Sequence, residues 1–79
     1  MTDINQALSR VVVKYRTIAK ISQEELADRA GIHRTYVSQI ERGLKSPTLS
    51  VLFEISKSLG ISASTLIAEV EQIINDLHH

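Results

Sequence analysis

Apolar side chains recur along this chain at spacings of three and four residues, the period of helices that bury one face. Ile4, Leu8, Val11, Val12 and Tyr15 form the first such stripe, with Thr2 or Asp3 placed to cap its start. Ser22-Gln23-Glu24-Glu25 then reads as a capping box, in which the Ser22 hydroxyl accepts from the Glu25 amide and the Glu25 side chain reaches back. Leu26, Ala27 and Ala30 face inward from this second helix, and Gly31 ends it by turning left-handed. A third helix is predicted over about 34–42, with Val37 and Ile40 inward and Gly43 as its stop. Pro47 and Thr48 open a fourth, whose apolar positions are Leu49, Leu52, Phe53 and Ile55 and whose stop is Gly60. Ser62 caps a fifth, over about 63–78, that reaches Leu77. The pattern predicts an all-α fold of five helices, forming a single domain over residues 1–79.

Composition narrows this picture. With 79 residues, 43% of them apolar and 23% charged, the chain is a small folded domain and not a disordered tail. The absence of cysteine removes disulfides, thiolate zinc sites and cysteine nucleophiles. No signal-peptide pattern is present and no apolar run approaches the roughly 20 residues that cross a bilayer, so a cytoplasmic protein without membrane contact is expected. A domain this small buries only about 60% of its unfolded surface, which makes self-association the obvious source of extra stability. The net charge is zero but unevenly spread. Eight of the nine basic residues lie between Arg10 and Lys45, against four acids there, so this stretch carries +4 while the chain beyond Lys45 carries −3. The basic stretch is the part suited to a polyanion.

Catalytic chemistry finds no support. The imidazoles are His33, His78 and His79, none at metal-ligand spacing with a carboxylate. No Ser-His-Asp arrangement and no phosphate-cradling glycine loop is present. The sequence therefore predicts no enzyme activity, no metal, no cofactor and no small-molecule ligand.

The second and third helices, joined by a glycine turn, have the spacing of a helix-turn-helix. Ala27 is small where the helices cross, Gly31 makes the turn four residues on, and Val37 plugs the angle six residues later. The run from Gln23 to Gly43 resembles the Xre-type helix-turn-helix regulators, a family that includes phage repressors, and the resemblance extends from about Leu8 to Ile67. Its most distinctive part, Arg34-Thr35-Tyr36-Val37-Ser38 followed by Ile40-Glu41-Arg42-Gly43, is similar to the controller proteins of restriction–modification systems. The resemblance implies a lambda-repressor-like fold, a homodimer bound to palindromic double-stranded DNA, and a third helix lying in the major groove. Such regulators are encoded by bacteria and phages and act in the cytoplasm.

Residue chemistry fits that placement. Arg34 suits a bidentate pair with guanine, Thr35 a base edge or thymine methyl, and Gln39 an adenine or a phosphate, with Ser38 beside them. Tyr36 is suited to stacking on sugar or donating to phosphate, or alternatively to partial core burial. Gln23 at the second helix start, and Arg42, Lys45, Ser46 and Thr48 after the third helix, are the candidate phosphate contacts. For Thr48 and Ser22 a simple capping role competes. His33 departs from the Ser, Thr or Asp that often caps the third helix in this family, and caps less well. The resemblance further implies an ion pair between Arg16 and Glu41 that fixes the first helix against the third. In the fifth helix Ile67, Val70, Ile73, Ile74 and Leu77 form a stripe broader than a tiny core requires, read as shared between core and dimer partner, or else as core alone. The functional expectation is a transcriptional regulator controlling its own operon, with RNA polymerase a further candidate partner. A phage-type repressor, an antitoxin or a protein-interaction module without DNA binding are the alternatives.

Overall fold

Three hydroxyls start three helices. The Ser22 side chain accepts from the Glu25 amide at 3.0 Å, Thr48 from Val51 at 3.2 Å, and Ser62 from Thr65 at 3.0 Å. Each satisfies an amide that the first helical turn leaves without a backbone partner. The computed structural model describes residues 2–77, and only the backbone of the first two of these, so the expected cap at Thr2 or Asp3 and the residues His78 and His79 lie outside the described residues. The chain forms α1 (Thr2–Ala19), α2 (Gln23–Ala30), α3 (Arg34–Glu41), α4 (Leu49–Leu59) and α5 (Ala63–Leu77), with no strand among the described residues.

The capping box forms only in half. Ser22 plays its part, but the Glu25 carboxylate binds Arg29 one turn on instead of reaching back, because a charged partner at i+4 offers a stronger hydrogen bond than the helix-start amide. α3 ends one residue before the expected boundary, leaving Arg42 as its C-cap.

α1 lies across the molecule and packs against α5, α3 and α4, while α2 packs against α3 and α4. The innermost side chains, Val11, Val12, Leu26, Val37, Ile40, Ile55 and Leu66, come from all five helices and enclose one core. Two apolar positions of α4 depart from expectation. Leu52 and Ile55 are buried, but Leu49 and Phe53 are 70% and 57% exposed. They sit four residues apart on the outer face of α4, and the core is already filled without them.

α1 ends without a glycine. Lys20 adopts the left-handed conformation itself (φ 59°), its N–H donating to the Thr17 carbonyl at 3.1 Å while Ile21 N–H donates to Arg16 at 3.3 Å. A β-carbon in that conformation costs roughly 1–2 kcal/mol, and the added freedom of glycine in the unfolded chain offsets about 0.5–1 kcal/mol of any gain. Lys20→Gly is therefore expected to stabilise the domain by about 0.5–1 kcal/mol, raising Tm by about 2–8 °C. An unchanged or lower Tm on thermal denaturation would show that this turn carries no strain.

Candidate nucleic-acid interface

The helix pair α2–α3 is built as the spacing requires. Ala27 and Val37 are 2% and 1% exposed, Ala27 letting the helices approach and Val37 filling the angle with Leu26 and Ile40. Gly31 makes the turn at φ 70°, a conformation costly to other residues, and Ile32 N–H closes it on the Ala27 carbonyl at 3.0 Å. His33 precedes α3 with no side-chain cap bond; its carbonyl instead accepts from the Tyr36 and Val37 amides at 3.0 and 3.3 Å.

Burying Val37 and Ile40 turns the other side of α3 outward. Arg34 and Thr35 are exposed, and Ser38 and Gln39 are half-exposed. Among the described residues none of these four side chains has a hydrogen bond or ion pair. Their donors and acceptors are available to something outside the molecule.

The orientation of α3 is set from behind by Glu41. Arg16 grips its carboxylate with two bonds, Nε to Oε2 at 2.6 Å and Nη2 to Oε1 at 2.9 Å, and also donates through Nη1 to the Ile21 carbonyl at 3.0 Å. The side chains of Arg16 and Glu41 are 20% and 5% exposed, so the pair is largely withdrawn from water. Gln23 Nε2 donates to Glu41 Oε1 at 3.0 Å, and Ser9 Oγ donates to the Glu41 carbonyl at 2.5 Å. One residue thus links α1, the start of α2 and the end of α3. The Arg16–Glu41 pair expected from the resemblance is present; the contribution of Ser9 has no local sequence signal.

Of the residues expected at phosphates, Arg42, Lys45, Ser46 and Thr48 follow the end of α3, Gln23 meets that end through Glu41, and Tyr36 lies in its first turn, with differing commitments. Arg42 and Lys45 are exposed, and neither has a carboxylate partner among the described residues. Lys45 Nζ lies over the Tyr36 ring, 5.5 Å from its centre, and Tyr36 is half-buried against the core. The Ser46 hydroxyl donates to Asn5 Oδ1 at 2.5 Å, pinning the α3–α4 loop to α1. Thr48 is engaged as the cap of α4 and Gln23 is held by Glu41, which leaves each with less to offer a phosphate. Of the eight basic residues between Arg10 and Lys45, three are paired: Lys14 with Glu69, Arg16 with Glu41 and Arg29 with Glu25.

The expected self-association stripe on α5 divides. Ile67 and Leu77 are 45% and 56% exposed, and Ile73 and Ile74 are half-buried. Val70, at 5% exposure, belongs to the core of the single chain. α5 is tied down further by Glu69, which accepts from Lys14 at 2.7 Å and from the Tyr15 hydroxyl. The bonds from Lys14 and then Tyr15 hold the Glu69 carboxyl below the ordinary carboxylate range, so their stabilisation is present above that range and fades as acid protonates it.

No described helix is long and apolar enough to cross a membrane, and the described residues contain no group of three or more potential metal ligands. The family model described as helix-turn-helix matches residues 12–66. Among curated proteins, the control protein C.SmaI of Serratia marcescens is 42% identical over 65 residues, which span 82% of this chain and 77% of that one. An HTH-type transcriptional regulator of Mycobacterium tuberculosis is 45% identical over 51 residues, and there the match spans 65% of this chain but only 36% of the relative. Among solved structures, the restriction–modification controller protein C.Esp1396I, a tetramer in complex with its natural 35 base-pair operator, matches with a TM-score of 0.80 at 31% identity, over 90% of this chain and 93% of that one.

Proposed function

The chain belongs to the Xre-type helix-turn-helix family of DNA-binding transcriptional regulators, and from that premise we propose that it binds a palindromic operator as a homodimer and controls its own operon, as a restriction–modification controller protein. The observation that carries this reading is the outer face of α3, where Arg34, Thr35, Ser38 and Gln39 stand uncommitted while Glu41 holds the helix from behind. Polar side chains without partners on a rigidly mounted helix suit a groove lined with base edges. Arg42 and Lys45 flank that face as phosphate contacts, with Gln23, Ser46 and Thr48 in supporting positions. The subgroup is supported by the similarity to C.SmaI over most of both chains and by the operator-bound form of C.Esp1396I.

The dimer face of this proposal combines Leu49 and Phe53 of α4 with Ile67 and Leu77 of α5, the large apolar side chains left exposed on two helices that pack together. Ile73 and Ile74 border it. A second copy is the occupant, because a two-fold dimer brings two α3 helices to successive major grooves about 34 Å apart. The regulator acts on DNA in the cytoplasm, and RNA polymerase is the partner through which occupancy of the operator alters transcription.

Selection of tight binders from random duplexes, followed by footprinting upstream of the protein's own gene, tests the reading. A palindromic site there is the expected result; no preference over scrambled DNA would favour an interaction module, and a site elsewhere a phage-type repressor or antitoxin. On the selected site Arg34→Ala is expected to cost about 1–3 kcal/mol and relax the preference at one base pair. Equal losses on selected and scrambled DNA would remove Arg34 from the base readers.

A further inference from the structure

The contact between Tyr36 and Lys45 joins a half-buried ring to an exposed cation at the edge of the DNA-facing surface. Tyr36 is packed against the core and its hydroxyl makes no hydrogen bond among the described residues. Lys45 is exposed, with its ammonium 5.5 Å from the centre of the ring. The loop that carries Lys45 is itself held in place. Ser46 binds Asn5, and the Gly43 and Leu44 amides donate to the Ile40 and Gln39 carbonyls at 3.0 and 2.9 Å. With the chain tied on both sides of it, the freedom left to Lys45 is that of its four-carbon stem, whose ammonium stands over the ring.

We propose that Tyr36 serves DNA binding as a positioning residue, its ring face holding the Lys45 ammonium ready for a phosphate, and that its hydroxyl is dispensable. The inference rests on the reading that α3 and the following loop face DNA. The negative face of an aromatic ring attracts an ammonium weakly, yet enough to favour one set of stem rotamers over others. A cation ordered before binding loses less freedom when the phosphate arrives, so the ring improves affinity without touching the nucleic acid. Because a phosphate contact carries no sequence information, the benefit appears on any duplex.

The distinction between ring and hydroxyl gives the test. Phenylalanine keeps the ring face, whereas leucine fills the space without it. Binding to a labelled mixed-sequence duplex is followed by fluorescence anisotropy at several salt concentrations. Tyr36→Phe is expected to bind like wild type and Tyr36→Leu about two- to fivefold more weakly. Lys45→Ala weakens binding and lowers the salt slope by about one. The Tyr36→Leu/Lys45→Ala double variant binds no more weakly than Lys45→Ala alone, because the ring acts only through that cation. NMR of the free protein supplies a readout that needs no variant: the Lys45 methylene protons nearest the ammonium are expected upfield, shifted by the ring. A Tyr36→Phe variant as weak as Tyr36→Leu, additive losses in the double variant, or unshifted Lys45 protons in the wild type would each overturn the proposal. Wild-type protein that binds no duplex in a salt-dependent manner would overturn the DNA-binding reading as well.

Discussion

Arg16→Ala is expected to cost about 3–5 kcal/mol of folding stability, a large share of the roughly 5–15 kcal/mol that holds a small domain together. The size follows from burial. The Glu41 side chain is 5% exposed, and without Arg16 its carboxylate retains, among the described residues, the Gln23 amide alone as a side-chain partner. Glu41→Ala should be milder, at about 1–3 kcal/mol, since the guanidinium left behind is 20% exposed and keeps its bond to the Ile21 carbonyl. Replacing both with apolar residues of similar volume, Arg16→Met with Glu41→Leu, should recover most of the loss, because no orphan charge remains. Urea denaturation of the two alanine variants and their combination measures the coupling. Strictly additive losses below about 0.5 kcal/mol each would mean that the pair contributes nothing. DNA affinity should fall with Glu41→Ala even where the domain stays folded, since Gln23 and the end of α3 then lose a shared anchor.

The second large effect concerns assembly. Leu49→Asp or Phe53→Asp is expected to yield a folded monomer that binds the operator about 10²–10⁴-fold more weakly, the loss incurred when two linked half-sites become independent. Because Leu49 and Phe53 are 70% and 57% exposed in the single chain, their replacement should change its folding stability by no more than about 0.5 kcal/mol. Val70→Asp offers the contrast: it places a charge in the core and should unfold the chain, losing structure and binding together. Sedimentation and anisotropy on the same samples distinguish these cases. A Phe53→Asp protein that stays dimeric and binds as wild type would place the interface elsewhere.

Features governed by neighbouring residues were readable from the sequence. The caps at Ser22, Thr48 and Ser62 and the stops at Gly31 and Gly60 depend on contacts spanning a few positions, and all are present. The Arg16–Glu41 pair was legible only through resemblance, for nothing local connects residues 25 apart. α4 misled because Leu49, Val51, Leu52, Phe53, Ile55 and Leu59 are apolar around most of the helix, so periodicity alone does not say which of them face in. The α5 stripe, read as shared between core and partner, does not itself mark which residue serves which role; Val70 takes the core part while Ile67 and Leu77 stay exposed. The hold of Lys14 and Tyr15 on Glu69 spans more than 50 positions and leaves no trace in the sequence. Lys20 shows the remaining kind of miss, a left-handed turn made by a residue whose type does not announce it.

Among the described residues, the outward side chains of α3 hold nothing else in the fold together. A residue that supports nothing internally can be exchanged with little effect on whether the chain folds. Glu41, Arg16 and Val37 are under the opposite constraint, each tied to several neighbours. Mutation can therefore rewrite Arg34, Thr35 and Ser38 while the mount beneath them stays as it is. On the proposed reading, in which these side chains meet base edges, paralogues of such a protein are free to diverge in the address they recognise long before they diverge in shape, and a laboratory library randomised at those three positions should consist largely of folded members.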